Sequence, residues 1–464
     1  MFLGFLPHFI WKLIASAFAL GLAYEPQDLF DIRNLAISPN KQNTYLTPVA
    51  AAAYTYRPRN PGNYNPVHAP SFYSDEGLAN KGHQWPTLKR RIMENSSLDG
   101  TFDLDSFLAG WMLFFTLGSE SVTGTGPWTH TMKFLQSTNQ MPVTSALVQE
   151  TADVIYQLAD LAIADLVLSG TSSGPLQGQF KMTGSGKKVD GSVAFPALTG
   201  PLYLFGSDTD IKIGPAAPDL TDPTQQFTLS TVVAGALAGH TAFWKVVYRN
   251  AAGATLASQE ISIVVPANSV SKITAPAAFP PGVTSADVYG SNSTGTETFQ
   301  GNIAAPAGNF QEPNTGFAAG AALPTATTAL ISIKERVKDW QVHIACDIAA
   351  NRAPGGQLWG TFSKVTKQRA NLTIQVHATS VDDMRTIAEN DTPKEVQIIT
   401  NSGAAQQLTL QFPSVLLETT QIGADAREMM WAMTAGDQAV TKPGAQEVFQ
   451  AVVINNQAAY GVGA

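Results

Sequence analysis

The chain is predicted to be mainly β, and three observations carry that reading. Gly (38) and Pro (28) are abundant beside many Thr, Ala and Val, a mixture that favours short strands and turns over long helices. Apolar and polar residues alternate in one short segment after another. Helical spacing is clear in a single run, residues 104–117, where Phe107, Leu108, Trp111, Met112 and Phe115 share a face.

The chain has 464 residues, which corresponds to two to four domains. Hydrophobic residues make up 44% and charged residues 14%, enough apolar material for sizeable cores and too little charge for a disordered chain. Low charge also suits a subunit that buries much of its surface against neighbours. The net charge of −8 and pI near 5.4 argue against ordinary nucleic-acid binding, which needs a basic face.

Three regions follow an apolar leader. Residues 1–23 are strongly apolar, interrupted by Pro7, His8 and Lys12. They read as a terminal segment packing on a neighbour or an extended gene start, as a signal peptide ending at Gly21-Leu22-Ala23, or as a membrane anchor. The first region, 24–221, opens with the β-prone Thr44 to Val49. Residues 56–73, rich in Pro, Asn and Tyr, are expected to form a long ordered loop. Lys81, His83, Lys89, Arg90 and Arg91 form a local basic cluster around Trp85, read as a solvated turn or a subunit contact. Asp103 or Asp105 is placed to cap the 104–117 helix. Residues 146–168 carry Val154, Ile155, Leu158, Leu161 and Ile163 at a spacing that also fits a helix, and 177–193 reads as a hairpin turning at Gly184-Ser185-Gly186.

In the second region, 222–325, charges thin out. Strands are expected over 241–250, 259–266, 285–291 and 299–303, separated by Gly/Pro/Asn turns, which indicates a β-sandwich of about 100 residues. The third region, 326–464, carries strands over 337–348, 357–362, 371–377, 394–400 and 406–412. A short helix is expected over 381–389 with Ser380 as its cap.

Signs of catalysis are poor: no P-loop, GxSxG, HExxH or CxxC pattern occurs. Cys346 is the only cysteine and shares one strand face with Val342, Ile344 and Ile348, so it reads as a small apolar core residue. His343 and His377, with Asp347, fall on the polar faces of strands and imitate a metal site, although a metal needs three or four converging ligands. His130 reads as a packing or hydrogen-bonding residue. Asp382 and Asp383 suit a helix N-terminus, and Asp208 and Asp210 suit an Asx turn. No residue is assigned a catalytic, cofactor-binding or metal role, and no cofactor is expected.

One stretch is more informative than any of these. Asp99-Gly100-Thr101-Phe102 leads into the apolar run from Phe107 to Leu117, then Gly118-Ser119, Thr123-Gly124-Thr125-Gly126-Pro127-Trp128-Thr129-His130-Thr131 and Phe134. This order resembles the tail tube proteins of long-tailed bacteriophages. The third region, with Gln397-Ile398-Ile399-Thr400-Asn401-Ser402-Gly403 and Leu408-Thr409-Leu410-Gln411-Phe412-Pro413-Ser414, looks like the same family. The resemblance covers roughly residues 44–213 and 328–440, and it favours strands in part of 146–168. The stretch from Trp244 to Gly253 together with Val288-Tyr289-Gly290-Ser291 looks like the fibronectin-type-III or immunoglobulin-like modules often inserted in phage virion proteins.

The resemblance implies a tail-tube β-sandwich or barrel-like core with short flanking helices, interrupted by the inserted sandwich at 222–325. It implies a structural virion subunit whose partners are itself, other tail proteins (tape measure, terminator, baseplate) and DNA in transit. Rings of six tube units would stack into a conduit for ejection. The chain is long enough to hold two such units, one on each side of the insert, so hexameric rings and pseudo-hexameric trimers are both open. The inserted module would decorate the outside and contact host surfaces weakly. A distal tail or baseplate ring protein is the alternative within the phage world, and an exported β-rich adhesin or surface-layer protein is the alternative outside it.

Overall fold

The computed structural model describes residues 34–58, 64–74, 89–135, 141–150, 154–191, 193–196, 203–351, 362–377, 392–425, 428–436, 440–441 and 447–461. The leader, the 381–389 helix with Asp382 and Asp383, and Lys81, His83 and Trp85 lie outside them.

Among the described residues the first region holds ten strands and one α-helix. The strands are β1 (Asn34–Ile37), β2 (Tyr64–Ser74), β3 (Lys89–Asp103), β4 (Gly118–Thr123), β5 (Trp128–Phe134), β6 (Thr144–Gln149), β7 (Ile155–Thr171), β8 (Gln177–Gly184), β9 (Lys188–Asp190) and β10 (Thr209–Pro215), with α1 (Ser106–Leu117) between β3 and β4. The second holds β11 (Thr228–Val233), β12 (His240–Arg249), β13 (Ile261–Val265), β14 (Ser269–Thr274), β15 (Ser285–Ser291), β16 (Thr298–Ile303) and β17 (Asn309–Gln311). The third holds β18 (Ile331–Ser332), β19 (Val337–Asn351), β20 (Phe362–His377), β21 (Lys394–Gly403), β22 (Gln406–Val415), β23 (Glu418–Asp425), β24 (Glu428–Ala435) and β25 (Gln450–Asn455). The chain is mainly β, in several antiparallel sheets, none of them closed into a barrel.

The helix forms where the spacing places it. Asp105 caps it, its Oδ1 accepting from the Leu108 N–H at 2.7 Å, and Gly118 ends it at φ 87°, a left-handed conformation that glycine adopts without a Cβ penalty. Nearly every side chain of α1 is buried, because the helix lies between two sheets. It packs on β7 and β19 of the larger sheet and on β4, β5, β22 and β25 of the smaller one. Trp111 and Phe115 meet at 5.3 Å between ring centroids, and one continuous core surrounds them.

The larger sheet runs β2-β3-β8-β7-β19-β20-β24-β23, with β1, β6 and β9 attached beside β7. Its first four strands precede the insert and its last four follow it. Both quartets have the same internal order: numbered as they occur in the chain, first, second, fourth, third. In both, the excursion between second and third strands carries a hairpin into the smaller sheet (β4–β5, then β21–β22), and one more strand follows the quartet there (β10, then β25). The two parts of the chain are nevertheless one body. β7 pairs with β19, β10 with β21, and β5 with β25, and all contribute to a single core. The parts before and after the insert therefore share one strand order as well as sheets and interior.

Three local expectations are corrected. Residues 146–168 are strands β6 and β7; burial is continuous from Leu158 to Ile163, so the apolar spacing there reflects a strand covered on both faces. Residues 177–193 are not a hairpin, because β8 and β9 both pair with β7, on either side of a bend at Asp160 (φ 59°). The 56–73 segment is largely strand β2, at the sheet edge, where Pro66 and Pro70 are tolerated because an edge nitrogen needs no ladder partner. The end of the basic cluster, Lys89 to Arg91, likewise opens a strand, pairing through its backbone with Phe72, Tyr73 and Ser74.

The second region is a β-sandwich, a three-stranded sheet β11-β14-β17 on a four-stranded sheet β13-β12-β15-β16, with a core of its own around Trp244 and Tyr248. Its first two strands lie in opposite sheets, whereas in immunoglobulin constant domains they are neighbours, so it has the sandwich architecture with its own strand order. The insert leaves and re-enters at one place: Ile213 in β10 pairs with Ile331 in β18.

Gly110 marks a close approach between the helix and the end of the described chain. A Cβ there would stand 2.4 Å from the Tyr460 hydroxyl, which lies in the same core. Gly110→Ala should cost about 1–3 kcal/mol, read as a lowered urea midpoint at unchanged slope.

Candidate functional site

The face of the larger sheet turned away from α1 is the candidate site. Strand alternation builds it. Leu166, Phe180, Val342, Ile344, Leu372 and Ile374 point into the core, so Asp165, Val167, Gln179, Lys181, Gln341, His343, Asn371 and Thr373 point out. These eight and Asp99 line a broad open hollow of about 530 Å³ across β3, β8, β7, β19 and β20. The face is concave and polar, with side chains that are amides, hydroxyls and paired charges.

Two of its cations are answered by carboxylates. His343 Nε2 lies 2.9 Å from Asp165 Oδ1, and Arg369 NH2 lies 2.8 Å from Asp347 Oδ1. Lys181 sits in register opposite both Asp99 and Asp165 on its two neighbouring strands. The surface therefore carries no stripe of free positive charge among the described residues of these five strands.

The structure places the remaining sequence candidates apart from one another. His377 shares the open face with His343, but six residues of β20 separate it from Asn371, the register partner of His343, a distance of about 20 Å. Among the described residues no three His, Cys, Asp or Glu converge as metal ligands. Cys346 faces the core, its Sγ 3.1 Å from the Thr116 carbonyl, and burial pushes its thiol up to about 11, so it is an inert thiol at neutral pH. Asp208 accepts from Ser402 Oγ at 2.7 Å, and Asp210 from Ser332 Oγ; both fix the strand β10 against its neighbours.

His130 is fully buried in a network that fastens the end of the described chain. Its Nδ1 meets Glu120 Oε1 at 2.7 Å and its Nε2 meets Asn455 Oδ1 at 3.1 Å. Asn455 Nδ2 donates to the Ser106 carbonyl at 3.0 Å and to the Tyr460 hydroxyl at 2.7 Å, which fixes the amide orientation. The Tyr460 hydroxyl donates onward to the Phe107 carbonyl at 2.9 Å, and Glu120 accepts from the Gly461 N–H at 3.0 Å. Each member orients the next, and the role is structural.

The sequence reading missed two buried ionisable residues at the start of β21. Glu395 is fully buried, and its Oε1 accepts from Gln397 at 2.9 Å and from Gln411 at 2.8 Å. Burial pushes its carboxyl up to about 7 against these hydrogen bonds. Lys394 beside it is 6% exposed. No residue pattern announces either, since 394–403 alternates like any half-buried strand.

No protein-family model matches the chain, and no curated protein is similar to it.

Glu395 sets a pH dependence. Its folded pKa is raised from 4.5 to about 7, so its contribution to stability is present below 4.5 and is lost as pH rises through 7. The loss is of order 3 kcal/mol for a shift of this size. Urea unfolding of wild type and Glu395→Gln between pH 4.5 and 8 should show the wild type losing ground relative to the variant by that order across this window.

Proposed function

We propose that this chain is the structural subunit of a phage tail tube, and that three copies form each ring. The carrying observation is the eight-strand sheet built as two quartets of one order, with a concave polar face on which His343 and Arg369 are paired with carboxylates. The motif order described in the sequence supports the same family. Within the chain, the outer strand of the first quartet (β7) pairs antiparallel with the first strand of the second (β19). The edges that remain are β2 and β23, and β23 of one copy meets β2 of the next in the same relation.

Dimensions favour three copies. Three eight-strand paths give twenty-four strands, which at about 4.8 Å spacing make a wall roughly 37 Å across the backbone. Side chains take about 5 Å from each wall, leaving roughly 27 Å, wide enough for a DNA duplex. Six copies would enclose roughly twice the backbone diameter, far more than a duplex fills. The lumen wall would then be the face with His343 and Gln179, and its paired charges suit a surface past which phosphates slide. Stacking of rings is a head-to-tail contact, which gives an open filament. The inserted sandwich would lie outside the tube, available to host surfaces.

Electron microscopy of concentrated full-length protein should show hollow tubes with three copies per ring and lateral projections. Isolated rings would assign the chain to a distal tail or baseplate role instead, and dispersed monomers would favour an exported adhesin. The lumen assignment has its own test. The triple variant Gln179→Lys, Gln341→Lys, Thr373→Lys should retain duplex DNA in assembled tubes where wild type does not, with a salt slope steeper by roughly 0.9 per phosphate engaged.

A further inference from the structure

The junction between sandwich and core holds an open pocket of about 340 Å³, within the range of about 300–1,000 Å³ that small-molecule sites occupy. Ile213, Pro215 and Ile331 line it from the core, and Ala251, Ala252 and Pro281 from the sandwich. One charged side chain enters this apolar lining, that of Lys394. Its Nζ has a single acceptor, the Pro281 carbonyl at 3.4 Å, and no carboxylate of the described residues pairs with it. An ammonium group has three donors, and a buried one with a single long hydrogen bond lacks the anion that would compensate its desolvation.

We propose that this pocket binds a small monocarboxylate with a short apolar body, the carboxylate on Lys394 Nζ and the body against Ile213, Ile331 and Pro281. A carboxylate supplies the charge-assisted hydrogen bonds that the ammonium lacks. The walls reward hydrocarbon, each buried methylene strengthening binding about fourfold. Burial already holds the Lys394 pKa below its usual range, so an anion beside it also restores the charged form. The bound molecule touches both bodies at once and cements the sandwich to the core. None of this depends on the conduit reading; the site exists in the single chain.

The test is isothermal titration of the full-length protein with acetate, butyrate and hexanoate, and with hexylamine as the cationic control. Affinity should climb from acetate to hexanoate by about fourfold per methylene until the pocket is filled, and hexylamine should not bind. Lys394→Met should weaken hexanoate by about tenfold or more. Ala252→Trp, which keeps the lysine and fills the space from an exposed position, should abolish binding, and it decides the matter if Lys394→Met fails to fold. Absence of hexanoate binding, equal binding of hexylamine, or undiminished hexanoate binding in the folded variants would overturn the assignment.

Discussion

The ladder between β7 and β19 is the constraint on which the larger sheet depends. Residues 165–171 lie opposite 339–345, and this one antiparallel pairing turns two four-stranded pieces into an eight-stranded wall. On its inner face Leu166 and Leu168 sit beside Ile344 and Val342, and Gly170 lies under Trp340. A Cβ on Gly170 would come 2.7 Å from the indole nitrogen, so the register tolerates only a glycine at that point. Once this ladder is in place the inner side chains of both quartets face the same helix, α1, and the smaller sheet closes over it. Neither quartet has a complete interior alone.

Several charges of this chain stand in pairs. On the open face they neutralise one another across strands, as His343 does with Asp165 and Arg369 with Asp347. In the sandwich, Glu312 is buried against His240 at 2.9 Å, and Glu297 against Lys245 at 3.0 Å. Exposed pairs of this kind contribute little to stability, about 0–1 kcal/mol. Their value on the open face is electrostatic smoothness, because a paired guanidinium has less to offer a passing phosphate. Lys394 stands outside this pattern, an ammonium placed in an apolar hollow.

How much of this was legible in the sequence depended on whether local pattern or distant partners decide the outcome. The helix α1 was legible because its spacing, its Asp105 cap and its Gly118 stop agree. The sandwich strands β12, β13, β15 and β16 were legible because alternation and turns coincide. The strand β7 was not, since burial on both faces from Leu158 to Ile163 erases the alternation that identifies a strand. Nor was β2, whose prolines belong to a loop unless one knows it lies at an edge. The repeated quartet order is a property of which strands pair, and different side chains achieve it in the two halves. The open face was half visible: His343 and Asp347 were singled out, but their partners Asp165 and Arg369 come from other strands. Glu395 and Lys394 escaped because only the return of the insert over β21 buries them.

The same ladder has a consequence in time. Leu168 and its partner Val342 are separated by about 170 residues of chain, including the whole sandwich. At a synthesis rate of roughly 5–20 residues per second, the first quartet waits on the order of 10–30 s for its neighbour. During that interval the long edge of β7 is unsatisfied on the ribosome, and the emerging sandwich, with its own core, can fold first. Chains made side by side thus carry a choice between two ways of covering that edge, the β19 that is still to come or a strand of another nascent copy. A particle assembled from many copies of this chain depends on the first winning.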